Sequence, residues 1–214
     1  MKVVPAILTS DKTELVDMLQ KSSKATDRVQ IDIIDGKFSD NLTVVPEELG
    51  FIKTDLLIDF HLMVVDPLDW IDRCAPFADR VIAQIEHMDS QELYLNKLKE
   101  VGLKGGFAID LGTEVSKLNK KVFGMMDCML VMSVPAGFGG QEFDPLAIKK
   151  IAALNEIRKK GGYVFSIIDD GGITLENVGM TKRAGVDEVS VGKRLFEGDL
   201  KKNIETFAKQ SYDK

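Results

Sequence analysis

The chain has 214 residues, a net charge of −6, 44% hydrophobic and 29% charged residues, and a single Trp. That length and apolar share suit one domain of the larger kind, or two small ones, with an ample core. The acidic balance and the lack of a basic stripe argue against a nucleic-acid partner, and no apolar run nears the ~20 residues of a membrane helix.

The N-terminal residues run straight into a strand-like segment without the shape of a signal peptide. Cys74 and Cys128 stand alone, without metal-ligand spacing, which fits a reduced compartment. A cytoplasmic globular protein is expected. Residues 3–8 read as a short apolar strand. Thr9-Ser10-Asp11 offers caps for a helix in which Leu15, Met18 and Leu19 recur at helical spacing. Residues 28–34 alternate as a strand, with Gln30, Asp32 and Ile34 on one face and Val29, Ile31 and Ile33 on the other. A loop at 35–41, a short helix at 47–52 and a third strand at 56–63 follow. Asp66-Pro67 then opens a helix reaching Cys74. Next come a strand at 80–85, a helix at 91–101, a strand at 105–109 and a weak helix at 115–120. The last strands, at 126–133, 164–168 and 188–191, precede helices at 148–160, 175–183 and 200–210. Strict alternation of strand and helix requires a parallel sheet with helices outside it. Eight such units in this length predict a (β/α)8 TIM barrel as a single domain over residues 1–214, with a doubly wound open sheet as the alternative.

A barrel of this kind carries its site at the C-terminal ends of the strands. Polar residues collect there. Gln30 and Asp32 share one face of the second strand, His61 ends the third, and Gln84 and Glu86 share a face of the fourth. Asp110 and Ser133 close the fifth and sixth. Asp169-Asp170 closes the seventh, and because neighbours on a strand face oppositely, only one of the two enters the site. Each has a plain structural explanation: Asp110 as a turn cap, Asp35 and Asp40 as loop-shaping residues, Arg194 as an exterior salt-bridge former, Met63 and Met132 as core filler. Together, two inward aspartates with a histidine between them can serve as acid, base and metal ligands. The sixth strand opens into a loop with Gly137, Gly139, Gly140 and Gln141, where bare backbone N–H groups approach a ligand closely. The same glycines could merely serve tight turns. This loop converges with Gly171-Gly172 and Gly192-Lys193 on one corner, where such barrels commonly bind phosphate. Lys193 adds a point charge there.

Several segments resemble the ribulose-phosphate 3-epimerase family. They are Pro5-Ala6-Ile7-Leu8, Asp32-Ile33-Ile34-Asp35-Gly36-Lys37-Phe38 with Asn41-Leu42-Thr43, Asp59-Phe60-His61-Leu62-Met63, Met132 through Phe143, and Asp170-Gly171-Gly172. The resemblance implies a divalent metal ion (Zn, Mn, Mg, Co or Fe) held by two histidines and two aspartates. The aspartates exchange the proton at C3 of a ketose phosphate through an enediolate. Asp32, His61 and Asp170 match that set, as catalytic pair and as metal ligands, while Gln30 replaces the remaining histidine and is a further candidate ligand. The substrate and phosphate contacts implied are Met63, Met132, Gly137, Gly139, Gly140, Gln141, Gly171, Gly172, Gly192 and Lys193. Departures from the family pattern are Ala6 and Lys193 for serines, Gln84 for a histidine and Ile34 for a methionine. A carboxamide oxygen is harder and weaker than imidazole and favours magnesium or manganese over zinc-like ions. The expected reaction is C3 epimerisation, with D-ribulose 5-phosphate as the default substrate. Alternatives are the allulose 6-phosphate reaction, a sugar-phosphate-binding protein with lost or altered catalysis, and metal-free enediolate chemistry by the aspartates and Lys193. The resemblance also implies a homo-oligomer.

Overall fold

A computed structural model describes residues 1–210; residues 211–214 of the expected domain lie outside the described residues. Eight strands form a closed parallel barrel: β1 (Lys2–Ile7), β2 (Arg28–Ile34), β3 (Leu57–Met63), β4 (Arg80–Gln84), β5 (Lys104–Ile109), β6 (Cys128–Met132), β7 (Ser166–Asp170) and β8 (Glu188–Val191). Each pairs with its sequence neighbour and β8 returns to β1, so the sheet has no open edge. The TIM barrel is the observed architecture and the open sheet is not.

Among the described residues six α-helices cover the barrel: α1 (Lys12–Ser23), α2 (Ile71–Cys74), α3 (Gln91–Glu100), α4 (Leu146–Gly161), α5 (Val178–Ala184) and α6 (Leu200–Gln210). Local chemistry sets their ends. The Asp11 carboxylate accepts the backbone N–H groups of Thr13 and Glu14 at the start of α1, a side-chain cap for otherwise unpaired donors. Helix α4 stops at Gly162, whose φ of 64° only glycine adopts freely. A helix follows every strand as expected, though not always an α-helix. Beyond β2 there is a 3₁₀ segment, Pro46–Phe51, and beyond β5 there are two, Val115–Lys117 and Lys120–Gly124. In these stretches the tighter i→i+3 turn closes the connection. Strand β7 also starts and ends later than expected. Val164 is 96% exposed, and the strand reaches Asp170.

Strand alternation divides the apolar residues into two cores. Val29, Ile31, Ile33, Phe60 and Leu62 face outward and pack with Leu15 and Leu19 of α1 in the layer beneath the helices. Ile82, Ala108, Leu130, Met132 and Ile168 fill the barrel itself. Both cysteines are free and buried, and burial pushes each thiol up to about 12, so neither is a reactive thiolate.

Buried charge closes the N-terminal end. Asp59, 1% exposed, takes Arg80 at 2.6 Å on one carboxylate oxygen and pairs with Arg28 through the other. Arg28 continues to Asp79 at 2.6 Å, and Arg80 to Glu188 at 2.9 Å. Removing one member of such a network leaves its partners desolvated and unpaired. Asp59→Ala is therefore expected to lose about 3–5 kcal/mol in chemical denaturation, whereas Asp17→Ala, which breaks the exposed pair with Lys21, changes stability little.

Candidate active site

Parallel register brings the polar residues together at the opposite, C-terminal end. Asp32 on β2 lies beside His61 on β3, Met132 on β6 beside Asp170 on β7, and Asp170 beside Ser190 on β8. His61 is fully buried. Its Nδ1 stands 3.1 Å from Asp32 Oδ1 and 3.7 Å from Asp170 Oδ2. Asp32, His61 and Asp170 each offer a ligand atom within 4.8 Å of the others, and could hold a metal ion. Two carboxylates and an imidazole are a donor set that a divalent cation accepts.

Gln30 completes the cluster in an unexpected sense. Its amide N–H₂ donates to Asp32 Oδ1 at 2.8 Å and to Asp170 Oδ2 at 2.6 Å, while its oxygen accepts the Ser190 hydroxyl at 2.7 Å. The donor end of the amide thus faces the two carboxylates, where a ligand would present its acceptor end. On the far side of His61, Nε2 lies 3.2 Å from Gln84 Nε2.

The electrostatics follow from burial. Loss of water, reinforced by the nearby Asp32 charge, raises the Asp170 carboxyl to about 7, while His61 and the Gln30 hydrogen bond pull it down. Burial lowers the pKa of His61, but its hydrogen bond to Asp32 and the surrounding carboxylates outweigh that and the net direction is upward.

A pocket of about 270 Å³ opens above this cluster. Every expected contact residue lines it: Met63, Met132, Gly137, Gly139, Gly140, Gln141, Gly171, Gly172, Gly192 and Lys193. Gln30 does not, because it sits below the floor formed by Asp32, His61 and Asp170. The expectation that one of the adjacent aspartates enters the site resolves as Asp170. Asp169 faces the other way, takes the Ser133 hydroxyl, and is raised by burial to about 8. Neither Ser133 nor Asp169 reaches the pocket. Gln84, Glu86 and Asp110 also stay off its wall. Asp110 anchors the glycine-rich loop through the Ala136 N–H at 2.7 Å, and Asn41 donates to Gly137 O at 2.7 Å.

Three polar residues of the pocket, Ser190, Arg194 and Glu197, were not among the expected contacts. Ser190 is inward by the alternation of Glu188-Val189-Ser190-Val191, which would have found it. Arg194, for which an exterior salt bridge was the plain explanation, lines the pocket and donates to Ile173 O at 2.9 Å. No local pattern reveals this, because it depends on how the 3₁₀ segment Lys193–Phe196 leaves β8.

Backbone demands separate the glycines. Gly172 has φ of 62°, and a Cβ there would lie 2.4 Å from Phe143 N. Gly139 has no atom within 4 Å of such a Cβ, so its bareness leaves space rather than relieving a clash. Gly172→Ala is expected to cost about 1–3 kcal/mol in thermal unfolding, and Gly139→Ala to leave the melting temperature unchanged.

A parallel barrel with two carboxylates and a histidine at its C-terminal mouth, beside a glycine and lysine corner, defines a (β/α)8-barrel enzyme centre. The family model described as the ribulose-phosphate 3 epimerase family matches residues 2–196, and the chain belongs to that family. It is an epimerase-like isomerase. The chain is 32% identical to ribulose-phosphate 3-epimerase of Synechocystis over 200 residues, covering 91% of this chain and 86% of that protein. It is 32% identical to the Escherichia coli enzyme of the same name over 210 residues, covering 95% and 92%. Phosphoribosyl anthranilate isomerase from Thermus thermophilus superposes with a TM-score of 0.64 at 11% identity, covering 98% of this chain and 99% of that one, a likeness of fold alone. Among the described residues no helix is long and apolar enough to cross a membrane.

Proposed function

We propose that the protein epimerises a phosphorylated ketose at C3, with D-ribulose 5-phosphate and D-xylulose 5-phosphate as the pair interconverted. The single observation that carries this reading is the placement of Asp32 and Asp170 on facing sides of one pocket floor, in a chain of this family. Inversion at a carbon next to a carbonyl requires a base on one face and an acid on the other. In this reading one aspartate takes the C3 proton and the other returns a proton to the opposite face, so the protein ends with its original proton count.

His61, fixed against Asp32, holds that carboxylate in place. Met63 and Met132 give an apolar wall that keeps water from the planar intermediate. Lys193 and Arg194, with Gly171, Gly172, Gly192 and the bare edge at Gly139 and Gly140, receive the phosphate. Asp32, His61 and Asp170 are the residues that would hold a divalent ion; when bound, it supplies Lewis-acid stabilisation of the charge that develops on the substrate oxygens.

The test is an epimerase assay on D-ribulose 5-phosphate after chelator treatment and re-supply with Mg²⁺, Mn²⁺, Co²⁺ or Zn²⁺. Asp32→Asn and Asp170→Asn are each expected to lower kcat by about 10²–10⁴-fold, and Lys193→Ala to raise KM with kcat little changed. Wild-type turnover that survives both aspartate changes would refute the acid/base assignment.

A further inference from the structure

Lys150 is a buried cation for which the proton transfer has no use. It stands near the start of α4, is 9% exposed and does not line the pocket. Its Nζ donates to two successive backbone carbonyls just beyond β5, Asp110 O at 2.7 Å and Leu111 O at 2.6 Å. Lysine is seldom buried, because its ammonium loses water there. Burial lowers its pKa, while the charges of Asp110, Glu86 and Asp144 act in the opposite sense. The ammonium thus lies among three carboxylates and directs its hydrogens to the backbone.

Asp110 is the junction that this contact fixes. Its N–H donates to Glu86 Oε1 at 2.8 Å, and its carbonyl accepts the Thr113 N–H at 2.9 Å besides Lys150. Its carboxylate accepts the Ala136 N–H at 2.7 Å. One residue therefore joins the segments after β4, β5 and β6 to α4. Ala136 leads into Gly137, Gly139 and Gly140, which line the pocket. A Cβ at Gly139 or Gly140 would meet nothing within 4 Å, so that arc has no packing of its own to hold it. Its position depends on how its ends are tied. Glu86 Oε2 is already buried without a hydrogen-bond partner. Without the Lys150 charge, the Asp110 and Glu86 carboxylates would face each other uncompensated at this junction.

We propose that Lys150 is a positioning residue for the glycine-rich loop: from α4 it fixes the turn after β5, and through Asp110 it holds Ala136, so that the loop is set before an anion arrives. The inference rests on the reading above that this loop receives the phosphate. A loop ordered in advance loses less conformational freedom on binding, which strengthens its hold on the anion. The Asp32, His61 and Asp170 floor comes from β2, β3 and β7 and shares no hydrogen bond with Lys150. The effect of Lys150 therefore falls on the phosphate end of the substrate, on KM rather than kcat.

The test compares Lys150→Met, which keeps the apolar stem and removes charge and donors, with Asp110→Ala and with the double variant, each in the full-length protein. Lys150→Met is expected to raise KM for D-ribulose 5-phosphate about 10-fold with kcat little changed, and to weaken inorganic phosphate in calorimetry by a similar factor. Because Lys150 acts through Asp110, the double variant is expected to match Asp110→Ala alone rather than multiply the two losses. Asp59→Ala, destabilising at the far end of the barrel, is expected to keep the parental KM, which separates positioning from a general loss of stability. The parent's KM and phosphate affinity in Lys150→Met, a loss confined to kcat, or losses that multiply in the double variant each overturn the proposal. If Lys150→Met does not fold, amide hydrogen exchange on the parent decides. The Ala136 N–H is expected to be protected without ligand, and rapid exchange there overturns the proposal. A parent that turns over the sugar phosphate while its Gly139 and Gly140 amides ignore inorganic phosphate overturns this proposal alone. A parent that binds inorganic phosphate without turning over D-ribulose 5-phosphate refutes the epimerase reading alone, and the phosphate affinities of the variants then decide the role of Lys150.

Discussion

Two carboxylates share one buried floor, and the rest of the mouth is arranged around holding them together. Asp32 and Asp170 come from strands on opposite sides of β1 and β8, and each would be repelled by the other if left alone in a low-dielectric site. The structure meets that with the Gln30 amide N–H₂ bridging both, and the His61 imidazole beside Asp32. Burial, and after it the Asp32 charge, still raise the Asp170 carboxyl above its ordinary range. Such a centre is poised to accept a proton or a cation, which suits chemistry that moves a proton across a planar carbon.

The reach of Gln30 depends on its neighbours. Its register partner on β1 is Ala6, and β1 lies between β2 and β8. A methyl group there leaves the interior open above it. The long carboxamide crosses that strand to meet Ser190 on β8 and Asp170 on β7.

The barrel could be anticipated from period alone, because parallel strands buried on both faces and amphipathic helices leave strong, distinct patterns. The pocket contacts followed from strand ends and glycine positions, and all ten line one cavity. What the pattern could not supply was side-chain direction beyond in or out. Alternation places Gln30 inward, but only the packed structure shows that its nitrogen faces the carboxylates and that Ser190 holds its oxygen. Arg194 stayed open because a residue just after a strand has no fixed face. The helices after β2 and β5 are 3₁₀, a distinction that short segments with helical spacing do not reveal.

The two ends of the barrel treat buried charge in opposite ways. At the N-terminal end Asp59, Arg28, Arg80 and Glu188 neutralise one another directly, with geometry fixed by bidentate guanidinium groups that have no second protonation state to adopt. At the C-terminal end there is no guanidinium within the floor. The partners there are an imidazole, two carboxamides and a hydroxyl, every one able to exchange donor for acceptor without moving its neighbours. The ionic cluster holds the N-terminal ends of the strands in register, and the pocket opens over the uncharged partners at the other end.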